Sequence, residues 1–264
     1  LTEVRSFLFG KALVSSGYGD GGVDCNREKH AARALIEAVK GYAAAEQFGS
    51  LELRGGALPN SDGWTQWDDK HCGFERALAT DDEAELLAIP RKSRAEVRKG
   101  LKADLEVRVG RNANDLKAHY SVYSESVRNL GTPVFPAGLF RAMLDAFPNG
   151  SDILTVFKDG KPISSVLNFY HDSAVLPYWG GGTFAARAAR SNELMYYKLM
   201  LHARERGMAR FDFGRSKTGS GPFQFKKNWG FEPKPLAYAQ WTPPGQTARN
   251  VDPTSEAYSR KIDL

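Results

Sequence analysis

Residues 210–233 read RFDFGRSKTGSGPFQFKKNWGFEP, and this stretch decides the fold that the sequence predicts. Its first four residues alternate polar and apolar side chains, which is typical of a half-buried strand. A glycine-containing loop follows, and beyond it Lys226 and Lys227 stand among aromatic residues in a short helical segment. A strand, a glycine-rich loop and a cationic helix together present backbone N–H groups and positive charge, so this stretch predicts an anion-binding junction.

The residues that precede this stretch predict a mixed α/β sheet. Two apolar runs around Asp159-Gly160 predict an antiparallel hairpin, and a third run follows and ends in the glycines of residues 180–182. A helix predicted at residues 192–206 then leads to the strand at residue 210, which makes a parallel strand–helix–strand unit. Ligands in such sheets bind at the carboxyl ends of the strands, so we expect the site at residues 177–182 and 213–215.

Positive charge is concentrated in the same region. Residues 204–234 hold eight Lys and Arg against three Asp and Glu, and this excess equals the net charge of +5 of the whole 264-residue chain. Residues 91–102 form a second basic run. Phosphate-bearing partners are the natural inference, although a solvated helix face explains the second run equally well.

Three segments together resemble one enzyme family. The run FDFGRSKTGSGPFQFKKNWGF at residues 211–231, PYWGGG at residues 177–182 and RNLGTPVFP at residues 128–136 resemble the FemAB-like acyltransferases. More narrowly, they look like the branch found with PEP-CTERM/exosortase exopolysaccharide systems. The resemblance is dense over residues 91–240. It implies the GNAT-type acyltransferase fold, which this family usually carries twice in tandem.

The fold class is therefore expected to be α/β with tandem GNAT-like acyltransferase domains, the first incomplete at its N-terminus. Residues 51–53 (LEL) echo residues 211–213 (FDF), since a helical pattern precedes each and a glycine-containing loop follows each. This echo agrees with a duplication. The predicted division is residues 1–80 as a remnant of the first domain, residues 81–245 as the second, and residues 246–264 as a C-terminal tail.

The resemblance implies an N-acyltransferase that transfers an acyl or aminoacyl group to an amine of a cell-envelope, exopolysaccharide or peptide acceptor. The donor would be aminoacyl-tRNA or an acyl-CoA or other acyl thioester, with no tightly bound cofactor, and both donors predict a cytoplasmic location. The loop TFAARAARS at residues 183–191 lacks the glycine pair typical of GNAT enzymes that use acetyl-CoA, which counts against ordinary coenzyme A binding. The Fem enzymes that build peptidoglycan cross-bridges often carry a helical coiled-coil arm. No sustained heptad repeat of charged residues appears in this sequence, which counts against peptidoglycan bridge synthesis.

Three residues are predicted to be catalytic. By the resemblance, Lys226 stabilises the oxyanion, and Lys227 is the alternative because both positions are lysines. Asp212 would orient the amine or take its proton, or else form a structural ion pair with Arg215. Tyr178 would hydrogen-bond to donor or acceptor, or else pack in the core.

A second set of residues is predicted to bind substrate or donor. Arg128 is a candidate anion clamp, with stabilisation of a helix C-terminus as the alternative, and Asn192 is a candidate ligand or a helix cap. The full predicted set is Arg128, Asn129, Thr132, Asn192, Arg215, Lys217 and Lys227.

Other chemistry has little support in the sequence. The five histidines are scattered without ligand spacing, so no metal site is predicted, and no apolar run is long enough to cross a membrane. Two alternatives from other classes remain. One is a non-catalytic RNA- or polyanion-binding module, and the other is a scaffold in an exopolysaccharide or exosortase system.

Overall fold

A computed structural model describes residues 1–6, 10–17, 19–23, 29–59, 61–129 and 134–245. The strands are β1 (Thr2–Ser6), β2 (Gly10–Val14), β3 (Ser50–Arg54), β4 (Trp64–Trp67), β5 (His71–Ala77), β6 (Glu106–Gly110), β7 (Ser151–Lys158), β8 (Lys161–His171), β9 (Ala174–Gly182), β10 (Arg210–Lys217), β11 (Pro233–Pro235) and β12 (Tyr238–Trp241). The helices are α1 (Lys29–Ala45), α2 (Asp82–Ala88), α3 (Arg91–Lys102), α4 (Ala113–Asn129), α5 (Ala137–Ala146), α6 (Phe184–Ala189), α7 (Ser191–Glu205) and α8 (Gly221–Asn228).

The chain divides into two units, one of Leu1–Cys72 with Lys234–Leu264 and one of Gly73–Pro233. The first unit contains a sheet in the order β1-β2-β3-β12-β4. Strands β2 and β3 are parallel, with Leu13 opposite Leu51, and α1 connects them. Apolar side chains from α1, from both strands and from the connection between α1 and β3 contribute to its core, among them Leu13, Ile36, Phe48, Leu51 and Leu53.

The second unit is built on the larger sheet, in which β5-β10-β9-β8-β7-β6 are neighbours in that order. Neighbouring strands from β6 to β9 are antiparallel. Strands β9 and β10 are parallel, and the chain passes from β9 to β10 through α6 and α7. The hairpin between β7 and β8 turns at Asp159 and Gly160, whose φ angles of 51° and 72° are those of the tight turn predicted from the sequence.

Helices cover both faces of this sheet, as alternate residues of β8 show. Ser165 bonds to His119 of α4, and Leu167 packs in a cluster with side chains of α4 and α5. Ser164, one position earlier, bonds to Ser191 at the start of α7. Successive side chains of a strand point to opposite faces, so α4 with α5 covers one face and α7 covers the other.

The predicted α/β class with mixed sheets is confirmed. Strands β3 and β10, which carry the echoed sequences, each end a parallel strand–helix–strand unit.

The predicted division at residues 80 and 245 differs from the observed one. The strand predicted to end the second domain is β12, which lies between β3 and β4 in the sheet of the first unit. The predicted tail, residues 246–264, lies outside the described residues. Across the described ranges, no helix is both long and apolar enough to span a membrane.

Candidate active site

Strands β9 and β10 pair over only two positions and then separate. Arg210 lies opposite Ala174 and Phe211 opposite Val175, after which no further pair follows in the register. Strand β9 nevertheless continues to Gly182 in contact with β8, and β10 continues to Lys217. A gap therefore opens at the carboxyl ends of two parallel strands, where the sequence predicted the site.

A β-bulge on β9 presents Tyr178 beside this gap. Leu167 of β8 pairs with Trp179, and the next residue of β8 pairs with Pro177, so Tyr178 is the extra residue. Its side chain is 37% exposed, and its ring lies 5.5 Å from that of Phe169 and 4.9 Å from that of Trp179. Bulges redirect side chains next to active sites, and this exposure is not that of a core residue.

The glycines at the end of β9 allow two helices to approach the strand. A Cβ atom on Gly181 would lie 2.7 Å from Cβ of Ser126 in α4, and one on Gly182 would lie 2.7 Å from Cβ of Ala186 in α6. Both distances are too short for real side chains. The glycines are thus part of β9 and serve close packing there, whereas the sequence suggested only that they end the strand.

Asp212 projects from the opposite face of β10 to Phe211 and Phe213, as its alternation predicted. Both phenylalanines are buried, whereas Asp212 is partly exposed. Its Oδ1 accepts a hydrogen bond of 2.8 Å from the backbone N–H of Gly214, whose φ of 65° favours glycine. This bond fixes the orientation of the carboxylate at the point where β10 leaves β9.

Lys226 brings a positive charge to the same end of β10. The side chain is 8% exposed, and its Nζ donates to the carbonyl oxygens of Gly214 at 3.2 Å and Arg215 at 3.0 Å. The Nζ also lies 5.4 Å from the ring centre of Phe74 and 5.7 Å from that of Phe213. A lysine is rarely this buried without a specific partner, and here backbone carbonyls of the site are its partners.

Lys227 occupies a different environment, although it is the next residue. It is exposed, and its Nζ lies 5.7 Å from the ring centre of Phe223 on the same helix. The two lysines could not be told apart in the sequence. In the structure, Lys226 is the one whose ammonium reaches the carbonyl oxygens of β10.

Aromatic packing holds α8 against β10 and α7. Ser220 caps the helix by accepting from the N–H of Phe223 at 3.3 Å. Trp229 at its other end is 1% exposed and lies 6.1 Å from Tyr196 of α7, whose ring is 4.9 Å from Phe213. Burial raises the pKa of Tyr196 to about 12, so its hydroxyl stays protonated at neutral pH.

The other cations predicted near β10 lie where the sequence suggested. Arg215 is partly exposed and Lys217 is exposed, and both belong to the last three residues of β10. The turn between β10 and α8 thus brings five predicted residues onto adjoining elements: Asp212, Arg215, Lys217, Lys226 and Lys227.

The predicted residues at the end of α4 lie elsewhere on the second unit. Arg128 and Asn129 are exposed in its last turn, and Nε of Arg128 donates to the carbonyl oxygen of Ser124 at 3.1 Å. That bond keeps the Arg128 side chain along the last turns of its own helix. Thr132 lies outside the described residues.

Asn192 joins β8 to the start of α7. Its Oδ1 accepts from the hydroxyl of Ser164 at 2.8 Å. The N-cap of α7 is Arg190, with a left-handed φ of 56°, so Asn192 lies inside the helix rather than at its cap. The alternative role of Asn192 as a helix cap does not hold, because α7 begins one residue earlier, at Ser191.

Sequence reasoning missed Glu125. This residue lies on α4, and its Oε1 accepts from the backbone N–H of Phe184, the first residue of α6, at 3.1 Å. The contact joins two elements far apart in the chain, so no local pattern could have indicated it. No group of three His, Cys, Asp or Glu side chains within the described ranges is arranged to hold a metal ion.

Sequence reasoning also missed the structural role of His119. This residue of α4 packs on the face of the larger sheet that α4 and α5 cover. It is fully buried, its Nδ1 lies 3.0 Å from Oγ of Ser165, and its ring is 5.4 Å from Phe140. Its Nε2 is buried with no hydrogen-bond partner among the described residues. Desolvation lowers its pKa from 6.5 to about 3, so the ring is neutral in the folded protein at neutral pH.

This burial predicts a loss of stability in acid. Below pH 6.5 the unfolded chain binds a proton at His119 that the folded chain does not, so the free energy of unfolding falls as pH decreases toward 3. The contribution is about 1.4 kcal/mol per pH unit, or about 3 kcal/mol between pH 7 and pH 4.5. Chemical denaturation at both pH values should show that the free energy of unfolding of His119→Phe changes less with pH than that of the wild type. The exposed His171→Phe should retain the wild-type effect, and an unchanged effect in His119→Phe would contradict the assignment.

The mixed sheet, in which the parallel strands β9 and β10 separate at their carboxyl ends, agrees with the GNAT-type fold that the sequence predicts. Residues 90–227, more than half of the chain, match the family model described as acetyltransferase (GNAT) domain. The chain therefore belongs to that family. No curated protein matches it significantly in sequence.

Solved structures show the same fold at low identity. FemX is 15% identical, with a TM-score of 0.67 over 87% of this chain and 80% of that one. L-PGS from Bacillus licheniformis is 12% identical, with a TM-score of 0.58 over 96% and 82%. A tandem GNAT protein from the clavulanic acid biosynthesis pathway is 13% identical, with a TM-score of 0.53 over 86% and 76%. These similarities support the predicted tandem GNAT-like fold.

Proposed function

We propose that the protein transfers an acyl or aminoacyl group from an activated donor to an amine of an envelope polysaccharide or peptide acceptor. The observation that carries this proposal is the gap between β9 and β10, together with the buried ammonium of Lys226 bonded to the carbonyl oxygens of Gly214 and Arg215 on β10. The donor would be aminoacyl-tRNA or an acyl thioester, with its acyl end in the gap. Because the two strands no longer pair there, their backbone N–H and C=O groups are available to hydrogen-bond to the donor.

The chemistry follows from the charges around the gap. The amine nitrogen attacks the acyl carbon, a C–N bond forms, and the C–O bond of an ester or the C–S bond of a thioester breaks. The proton lost by the amine ends on the leaving hydroxyl or thiol. Lys226 would stabilise the negative oxygen of the intermediate, because a buried cation acts strongly on charge that develops nearby.

Asp212 and Tyr178 would act on the reacting amine from the two sides of the gap. The backbone N–H of Gly214 already holds the Asp212 carboxylate in place, so it can orient a substrate ammonium and receive its proton. Tyr178, on the bulge, can donate a hydrogen bond to donor or acceptor. These roles extend the sequence prediction and are proposals.

The surrounding cations would bind phosphates of the donor. Arg215 and Lys217 lie among the last three residues of β10, and Lys227 lies on α8. Arg128 and Asn129 lie in the last turn of α4, one turn beyond the residue that packs on β9. We place Asn192 and Thr132 in this group only on the strength of the resemblance. That resemblance is also the support for an exopolysaccharide or exosortase setting and for a cytoplasmic location, where both kinds of donor are made.

One observation favours a second candidate, a non-catalytic polyanion-binding module. Helix α3 exposes Arg91, Lys92, Arg98 and Lys102, and a cationic helix face suits a phosphate backbone. This candidate predicts binding that weakens steeply with salt and no transfer product.

Binding measurements distinguish these candidates. We would titrate the protein with alanyl-tRNA, uncharged tRNA and acetyl-CoA at low and high salt. A preference for the charged over the uncharged tRNA, or saturable binding of acetyl-CoA, is expected for an acyltransferase. Equal binding of both tRNAs that disappears at high salt would favour the polyanion-binding module instead.

A further inference from the structure

Three aromatic rings form a row on the surface of the second unit. This aromatic row consists of Phe147 directly after α5, Phe169 on β8 and Tyr178 on the bulge of β9. The ring of Phe169 lies 5.3 Å from that of Phe147 and 5.5 Å from that of Tyr178, at interplanar angles of 77° and 84°. Phe169 is two positions from Leu167 on β8, so the row lies on the sheet face that α4 and α5 cover.

The aromatic row is open to solvent. Phe147 is 50% exposed and Tyr178 is 37% exposed, and Phe169 between them is partly exposed. In an edge-to-face pair one ring touches its neighbour with its edge, so that contact leaves the face of the ring uncovered. Single exposed apolar side chains are common, whereas a contiguous exposed patch is typical of a surface that binds a ligand.

One end of the aromatic row lies on a strand that borders the gap. Val175 is the last residue of β9 that pairs with β10, and Tyr178 follows it by three positions. A ligand that packs along the row therefore reaches the gap at its Tyr178 end. In the proposed reaction, the acceptor amine must lie at that place.

The charges around the aromatic row favour a ligand without phosphates. Arg111 donates to the carbonyl oxygens of Leu144 and Pro148, and Arg206 donates to that of Asn149 at 2.9 Å, so both arginines that reach this turn are engaged with the backbone. Proteins that stack nucleotides on aromatic rings place cations beside the rings for the phosphates. The segments that carry the row contain two Asp and no Lys or Arg, namely residues 144–153, 163–171 and 174–182.

We propose that the aromatic row binds a sugar ring of a carbohydrate acceptor and so places the acceptor amine at the gap. This inference rests on the proposed function and narrows it, since it selects the sugar from the two acceptor classes named there. The face of a pyranose ring presents C–H groups, which pack on the electron-rich face of an aromatic ring, while the hydroxyl groups stay in water. Such a ligand needs no cation.

Phe147 is the residue to change, because it lies at the end of the row away from the gap and is not among the predicted catalytic residues. Phe147→Ala removes the ring, and Phe147→Leu keeps an apolar side chain but no ring face. Leu87→Ala is the control, since it removes an apolar side chain that is 53% exposed on α2. Helix α2 bonds to α7, which covers the other face of the sheet, through the carbonyl oxygen of Asp82 and the hydroxyl of Tyr197 at 3.0 Å.

The measurement is a titration of the full chain, followed by saturation-transfer NMR, with three separate probes. These are a β-linked glucosamine trimer, adenosine and the tripeptide alanyl-lysyl-alanine. We expect saturable binding of the trimer in the millimolar range, with the strongest transfer to its ring C–H protons. Both Phe147 variants should bind the trimer at least about fivefold more weakly, and Leu87→Ala should bind it like the wild type.

Four results would each overturn the inference. They are no saturable binding of the trimer, equal affinity of the wild type and both Phe147 variants, the same loss in Leu87→Ala, and binding of adenosine or the tripeptide that is tighter than that of the trimer and depends on Phe147. Circular dichroism checks that every variant is folded. No donor is present in this titration, so its result is independent of amide formation, and a failure of the proposed transfer reaction would be seen separately.

Discussion

Lys226→Met is expected to reduce kcat/KM for acyl transfer by about 100- to 1,000-fold, the range for loss of a group that stabilises an oxyanion. Methionine keeps an unbranched apolar chain beside Phe74 and Phe213 but removes the ammonium that bonds to the carbonyls of Gly214 and Arg215. Single-turnover transfer from alanyl-tRNA and from acetyl-CoA to glucosamine measures the effect.

Lys117→Met is the control for this prediction. It removes the same charge from an exposed residue in the first half of α4, outside the predicted site, and should change the rate by less than about threefold because an exposed charge away from the site is screened by salt. Lys226→Met should also lower the free energy of unfolding by about 1–3 kcal/mol, since two carbonyls lose a donor. Rates are therefore compared at a temperature where circular dichroism shows all proteins folded. Equal activity of the two variants would contradict the role of Lys226.

Trp229→Ala should lower the free energy of unfolding by about 3–5 kcal/mol, the range for deleting a fully buried aromatic side chain. Trp229 is 1% exposed at the end of α8, and its ring contacts Phe225 and Tyr196. Its backbone N–H also bonds to the carbonyl oxygens of Phe225 and Lys226. Loss of the ring should loosen the helix that positions Lys226, so transfer activity should fall even where the protein remains folded.

Chemical denaturation measures this effect, with two comparisons. Trp229→Phe retains most of the apolar contact and should cost less than half as much as Trp229→Ala. Phe184→Ala removes an aromatic ring that is 78% exposed and should change stability by no more than about 0.5 kcal/mol. A Trp229→Ala variant as stable as Phe184→Ala would show that α8 is held by other contacts.

The parts of the fold that sequence reasoning predicted are those set by local pattern. The alternation at residues 210–213 gave the strand β10 and the orientation of Asp212 relative to Phe211 and Phe213. Asp159-Gly160 gave the hairpin, because few residues adopt two successive positive φ angles. The order of strand, helix and strand then predicted that β9 and β10 are parallel, because few arrangements of such a crossover occur in proteins. The carboxyl ends of both strands, where the gap lies, were thereby predicted to be at the same edge of the sheet.

The parts that could not be predicted depend on contacts between distant segments. Tyr238 of β12 pairs with Arg54 and Trp67, and nothing near residue 238 specifies that partner. The contact of Glu125 with Phe184 is of the same kind. To choose between Lys226 and Lys227, one must know in which direction each side chain points from α8. A shift of the helix by one residue would exchange the two directions, and the sequence does not fix the helix to that accuracy.

In the proposed reaction, the gap between β9 and β10 holds an acyl group that passes to an amine. Mass spectrometry of a reaction containing alanyl-tRNA or acetyl-CoA, glucosamine and the wild-type protein tests it most directly. We predict an N-acylated amine that forms with the wild type and Lys117→Met and is reduced at least about 100-fold with Lys226→Met. No amide product from either donor, together with RNA binding that high salt abolishes and that Lys226→Met retains, would contradict it.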